Sequence, residues 1–466
     1  MASRDCAEQV GNSGKIPAQR WRRVNARCLC RSMARFDFYS LRFFLSVLAL
    51  SCALAQPVCA GEDSAQAPAS TQAQGPHSGF GGPASVGGQI QSDTEPKAPL
   101  VRLDMASAAL RSYHDFKERV KSQYELTFGI DYILLYQHAS KSPGEQNAAG
   151  GALRLFGSWQ LFDQESGYPG SIEFKVENRH RLGTDIAPQA LGGEVGYAGL
   201  TAVTFSDAGS LLTNLYWLQS LHDDRFAYIV GIVDVTDYVG VYGFVNPWAD
   251  FMNLAFSTDP TIPAPDQGFG TAARWRLADH FYVLAGLADA NGDPGDIWNS
   301  VDAFFDDTEA FKHIEMGWYG SWETRIENNV HLTLWQVDER TEAGIADGWG
   351  AAFSYSRKFG ERWLPFLRVG YGDGGGALLE RSISAGVGRY TDDGQGVFGL
   401  GLNWGRPNRE LFGPDVRNQY TVEAYYRLQL AEHLTITPDI QLIKDPALNP
   451  EEDSVWVAGL RARLAF

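Results

Sequence analysis

Trp456-Val-Ala-Gly-Leu-Arg-Ala-Arg-Leu-Ala-Phe466, the last stretch of the chain, decides the fold. Side chains of an extended strand alternate between two faces. Trp456, Ala458, Leu460, Ala462, Leu464 and Phe466 therefore share one face, with Gly459, Arg461 and Arg463 on the other. The stretch before it puts Leu434, Ile436, Ile440 and Leu442 opposite Thr435, Thr437, Asp439 and Gln441. Further upstream, Tyr420, Val422, Ala424, Tyr426, Leu428 and Leu430 oppose Thr421, Glu423, Tyr425, Arg427 and Gln429. A soluble antiparallel sheet alternates in the same way, so period two alone does not choose between water and lipid outside.

Connection lengths choose. Sixteen alternating segments can be counted from 123–137 through 314–326 to 454–466. Short links such as His222-Asp223-Asp224, Glu327-Asn328 and Ala431-Glu432 alternate mostly with long ones at 181–210, 236–268 and 290–313. An up-and-down outer-membrane barrel has short periplasmic turns, longer outer loops and an even strand count. The sequence thus predicts an all-β transmembrane up-and-down antiparallel β-barrel of 16 strands over 123–466, with both ends in the periplasm. Trp159, Trp318, Trp322, Trp404, Tyr426 and Trp456 are placed to form interfacial girdles.

The N-terminal part reads as export machinery. Phe43 to Ala55 is an apolar run of 13 residues behind Arg35 and Arg42, followed by Val58-Cys59-Ala60. That is a signal-peptide layout, cut after Ala60, so residues 1–60 are read as an N-terminal extension and signal peptide. The five Cys, at 6, 28, 30, 52 and 59, all precede the cut. Residues 61–98, rich in Ala, Gly, Pro, Ser and Gln, read as a flexible periplasmic linker. Residues 99–122 carry apolar positions at helical spacing and read as a short amphipathic helix.

Charge narrows the partners. The chain of 466 residues has 56 acidic and 39 basic residues, net −17. Removing 1–60 takes away nine basic and three acidic residues, leaving 30 against 53, net −23. This excess argues against a nucleic-acid partner. Enzyme and cofactor motifs are not found. Gly372 to Gly376 lacks the ending of a phosphate loop. Asp289 to Asp296 resembles a calcium loop but has Pro294 where Gly is needed and Ser300 where Glu is needed. No cofactor, metal ligand set or catalytic residue is assigned.

Several motifs carry a resemblance. They include Gly231-Ile232-Val233-Asp234-Val235-Thr236-Asp237, Asn246-Pro247-Trp248 with Phe251-Met252-Asn253, and Gly286-Leu287-Ala288-Asp289-Ala290-Asn291-Gly292. Nearest the end are Glu423-Ala424-Tyr425-Tyr426-Arg427-Leu428-Gln429-Leu430, Pro438-Asp439-Ile440-Gln441 and Gly459-Leu460-Arg461. From about 211 to the end the chain resembles the carbohydrate-selective porins of the OprB family. The resemblance implies a sixteen-stranded barrel that passes small sugars by diffusion across the outer membrane of a Gram-negative bacterium.

A barrel of this size leaves a lumen. A charge facing lipid at mid-depth costs roughly 2–4 kcal/mol for Arg or Lys, so charged registers should face inward. These are Arg154, Glu173, Lys175, Glu177, Arg179, Arg274, Arg276, Glu315, Glu323 and Arg325, with Glu423, Tyr425, Arg427, Asp439, Gln441, Arg461 and Arg463 as the expected substrate wall. Carboxylates accept from sugar hydroxyls and guanidiniums donate to them. Tyr425 and Trp335 are candidates to stack on sugar faces. Alternatives remain open: a general, weakly cation-favouring porin, and an outer-membrane enzyme. Expected partners are small sugars, outer-membrane lipid and the barrel-assembly machinery, engaged through Phe466; a monomer and a homotrimer are both compatible.

Overall fold

The computed structural model describes residues 80–102, 104–162, 167–306, 308–391 and 394–466. The chain divides into two units, Met1–Gln72 and Ala73–Phe466. The first lies outside the described residues, and so does the proposed signal peptide.

The second unit is a closed barrel of sixteen antiparallel strands, each paired with its sequence neighbours. They are β1 (Leu126–Ala139), β2 (Asn147–Phe162), β3 (Gly170–Arg181), β4 (Gly209–Leu221), β5 (Phe226–Val233), β6 (Gly268–Ala278), β7 (Phe281–Asp289) and β8 (Ala310–Tyr319). The second half comprises β9 (Asn329–Val337), β10 (Gly348–Ser356), β11 (Trp363–Gly374), β12 (Leu379–Tyr390), β13 (Gly396–Pro407), β14 (Gln419–Ala431), β15 (Leu434–Lys444) and β16 (Ser454–Ala465). Pairing of β1 with β16, Asp131 opposite Ala465 and Leu134 opposite Ala462, closes the sheet and removes both edges.

The alternation predicted for the last three strands holds. Tyr420, Ile440, Trp456, Leu460 and Leu464 are exposed, whereas Thr421, Glu423, Gln441 and Arg461 are buried inside. The outward face is an apolar band that continues through Leu155, Leu215, Trp275, Leu334, Leu367 and Leu402. A surface of this kind is stable against lipid. Trp159, Trp318 and Trp456 lie exposed on this outer face.

Two expectations are corrected. The eighth strand was expected over 314–326 but ends at Tyr319. Ser321 Oγ meets the Thr324 amide, and the Glu327 amide donates to Thr324 O, so residues 320–328 turn. Glu323 and Arg325 therefore sit in this turn rather than in a strand register. Trp322 belongs to the same turn, is part-buried and joins no girdle. The linker expected over 61–98 is folded in its described part. Residues Val86–Thr94 form a helix, α1, with Val86 and Gln89 buried and Ser85 Oγ capping the Gly88 amide. Small residues that look like linker composition fit a confined lumen. The amphipathic helix, α2, runs from Asp104 to Tyr124. Its Tyr113 and Phe116 meet Phe128 edge-on, and Glu125, with positive φ, ends it before β1.

The core lies inside the barrel. The connections 182–208 and 234–267 fold back into the lumen, burying Leu191, Tyr197 and Phe205 from the first and Tyr242, Phe244, Phe251 and Phe256 from the second. The wall leaves room for those rings: a Cβ on Gly401 would lie 2.7 Å from the Phe256 ring. No helix among the described residues is long and apolar enough to cross a membrane.

Candidate solute pathway

The 234–267 loop is held in the lumen by side chains from opposite walls. On β14, the Glu423 carboxylate accepts the Met252 amide at 2.7 Å and the Asn253 amide at 3.1 Å. Gln441 on β15 accepts from Asn253 Nδ2 at 3.0 Å. Arg461 on β16 donates to the carbonyls of Pro247 (2.8 Å), Asp250 (2.9 Å) and Ala249. Tyr425 Oη donates to Asp250 at 3.1 Å, and Arg427 pairs with the same carboxylate at 2.8 Å. Across the barrel, Glu315 on β8 accepts from the Gly240 amide, Tyr282 Oη and Thr333 Oγ1 at 2.7–2.8 Å.

These contacts revise the roles expected of the substrate wall. All seven residues sit on the inner face, but Glu423, Tyr425 and Gln441 are covered by the loop, and Asp439 accepts from Gln441 at 3.1 Å. Trp335 is also buried, stacked on Phe311. Arg427, Arg461 and Arg463 face a cavity of about 980 Å³ bounded by β12–β16, β1, α2 and residues 92–99. Arg463 is the hub of this wall. It donates from Nε to Asp131 at 2.7 Å and from both Nη atoms to Asp93 at 2.9 Å. Asp131 also accepts from Arg154 Nε at 2.8 Å, so one buried carboxylate ties β1, β2 and β16 together.

A second cluster escaped sequence reasoning. Arg274, Arg276 and Arg325 lie 4.4–4.6 Å from the centre of the Trp322 ring. Asp224 accepts from Arg274 at 2.7 Å and from the Trp322 indole at 3.1 Å. The cluster joins two turns almost a hundred residues apart, and no local motif announces such a pairing.

The 289–296 loop is knit by its own groups. Asp289 accepts from the Asn291 amide and from Ser300 Oγ, and Asp293 accepts from the Gly295 amide. No group of three or more potential metal ligands occurs among the described residues.

Asp237, in the inward loop, is buried beside Lys175 at 3.2 Å. Burial pushes its carboxyl up to about 7, with Lys175 opposing and Asp234 adding to the rise. The folded carboxyl then holds its proton more tightly than the unfolded one. Its stabilising contribution is complete below about pH 4 and is lost as pH rises through about 7. We expect the melting temperature of the wild-type barrel, relative to Asp237→Asn, to fall between those limits. A difference that stays flat would mean that Asp237 is ionised throughout.

A closed sixteen-strand barrel with an apolar belt and loops folded into a charged lumen is the architecture of a porin. The carbohydrate-selective porin, OprB family, matches residues 173–466, and the chain belongs to that family. It is thus an outer-membrane porin, and residues 80–97 precede the matched range. The Chlamydia felis protein named Porin AaxA is 22% identical over 317 residues, covering 66% of this chain and 69% of that protein. The Chlamydia pneumoniae Porin AaxA is 21% identical over 328 residues, covering 66% and 70%. The high-pH structure of Pseudomonas putida OprB superposes with a TM-score of 0.61 at 14% identity, covering 76% of this chain and 97% of that one. At that identity the likeness speaks for the fold alone.

Proposed function

We propose that the protein lets small carbohydrates diffuse across the outer membrane, with the cavity beside β12–β16 as part of their path. The observation that carries this reading is the mixed chemistry of one wall. Arg463, paired with Asp93, and Arg427, paired with Asp250, line about 980 Å³ together with the Glu95 carboxylate and the Lys97 ammonium. Hydrogen bonds to charged groups contribute roughly 1.5–3 kcal/mol, less where water competes, so sugar binding would be weak and exchange rapid. Catalysis is not part of this reading.

The cavity weakens the case for a cation-favouring general porin. Its lining carries Lys97, Arg102, Lys117, Lys121, Arg427, Arg461 and Arg463 against Asp93, Glu95, Glu118 and Glu432. That local balance is opposite in sign to the whole chain. Titrating neutral mono- and disaccharides against single-channel current tests the proposal. Concentration-dependent block by at least one sugar is expected. Unaltered current with every sugar, combined with a reversal potential favouring cations in a salt gradient, would overturn it.

A further inference from the structure

Residues 80–97 run through the barrel lumen, from Phe80, which lines a small pocket with Tyr282 on β7, Glu315 on β8 and Asn329 on β9, to Asp93, which meets Arg463 on β16. At the start, Phe80 packs edge-on against Tyr238, with ring centres 5.7 Å apart. The Gly82 amide donates to Asp237 O at 2.8 Å. Lys175 Nζ on β3 reaches Ala84 O at 3.4 Å, and Asn246 Nδ2 reaches Pro83 O at 3.4 Å. Helix α1 then runs beside β1, β2 and β3. At the far end, Asp93 takes both Nη atoms of Arg463 on β16. The chain leaves along β14, where the Leu100 and Val101 amides donate to Gln429 O and Leu430 O. Glycine is required where the segment presses on the inward loop: a Cβ on Gly82 would lie 3.3 Å from Val241 Cβ and collide with a Val241 methyl.

We propose that residues 80–97 form a fixed crossbar that narrows the lumen and sets which solutes pass. The inference rests on the sugar-porin reading and deepens it. The crossbar leaves the 980 Å³ cavity on the β12–β16 side as the open route, and Asp93, Glu95 and Lys97 form its inner wall. A side chain from the N-terminal segment thereby faces any solute that meets Arg427 and Arg463. The crossbar is built by strong anchors rather than by a hinge: bidentate Arg–carboxylate pairs are among the stronger hydrogen-bonded contacts.

Planar-bilayer recording tests this. The barrel lacking residues 80–97 is expected to conduct several-fold more ion current and to lose most of its block by sugar. Heat modifiability on gels reports whether that variant has folded. Two full-length variants keep the test decisive if it has not. With Glu95→Cys, a cationic thiosulfonate is expected to cause a stepwise loss of current, since the native Cys all precede residue 60. With Gly82→Cys paired to Val241→Cys, current is expected to be the same oxidised and reduced. The 3.3 Å spacing is close to the roughly 3.5–4.5 Å between Cβ atoms of a disulfide. Full labelling of Glu95→Cys with no change in current would overturn the crossbar, as would wild-type conductance and sugar block in the folded deletion. A rise in current on reducing the disulfide would overturn its fixed character. Absence of channels in the wild type would instead count against the porin reading itself.

Discussion

Arg461→Ala is expected to free the 234–267 loop from the barrel wall. Arg461 is only 1% exposed and spends its guanidinium on the carbonyls of Pro247, Ala249 and Asp250. Losing it strips three attachments from the 247–250 segment of the loop. Hydrogen bonds to a charged group contribute roughly 1.5–3 kcal/mol each and do not add fully, so loop docking should weaken by several kcal/mol. Glu423→Gln is the milder partner, because an amide oxygen still accepts one amide proton from Met252 or Asn253. The single-channel current of Arg461→Ala should become noisy, with several conductance levels in place of one. The loop has no Lys or Arg between Asp234 and Gln267, but it is rich in Tyr, Phe and Trp. Chymotrypsin should therefore cut the folded variant between 238 and 256, whereas in the wild type this stretch should stay intact. Identical cleavage and a single unchanged conductance level would show that the loop is held without Arg461.

Deleting Phe466 is expected to impair barrel formation more than transport by barrels that do form. Its amide donates to Ile130 O at 2.8 Å and its carbonyl accepts from the Ile130 amide at 3.3 Å. Lys117 Nζ of α2 reaches the same carbonyl at 3.0 Å, and the ring stacks on His433 at 6.0 Å. The residue thus closes the β1–β16 seam and ties it to α2. Barrel closure leaves no unpaired edge in lipid, so a shortened seam exposes backbone groups where water is absent. The yield of heat-modifiable barrel should fall sharply, while the surviving channels keep wild-type conductance. We propose that the assembly machinery reads the same terminal aromatic. Comparing refolding in detergent with assembly in cells separates that role from the seam. Normal yields by both routes would remove both.

The sequence by itself determined the barrel. Period-two alternation put Trp456, Leu460 and Leu464 outside and Arg461 and Arg463 inside, because a charge on the lipid face is costly and side chains of a strand have only two directions to take. The same rule placed Glu423, Tyr425, Arg427, Asp439 and Gln441 on the inner wall. It did not give their tasks. Glu423 meets the Met252 and Asn253 amides, and Arg461 meets Pro247 O, across about two hundred residues of chain. Partners so distant in sequence leave no periodic trace, so a loop of apolar residues cannot be distinguished from an outer loop until its seat on Gly401 and Tyr425 is seen. The N-terminal segment misled for a related reason. Gly81, Gly82, Ala84 and Ser85 have the composition of a linker, yet small residues are also what a crowded lumen admits. Only tertiary structure decided which walls clamp the inward loop, that Asp93 meets Arg463, and that Trp322 gathers three arginines. Each of these depends on charged and polar groups finding one another after the barrel has excluded lipid from its interior.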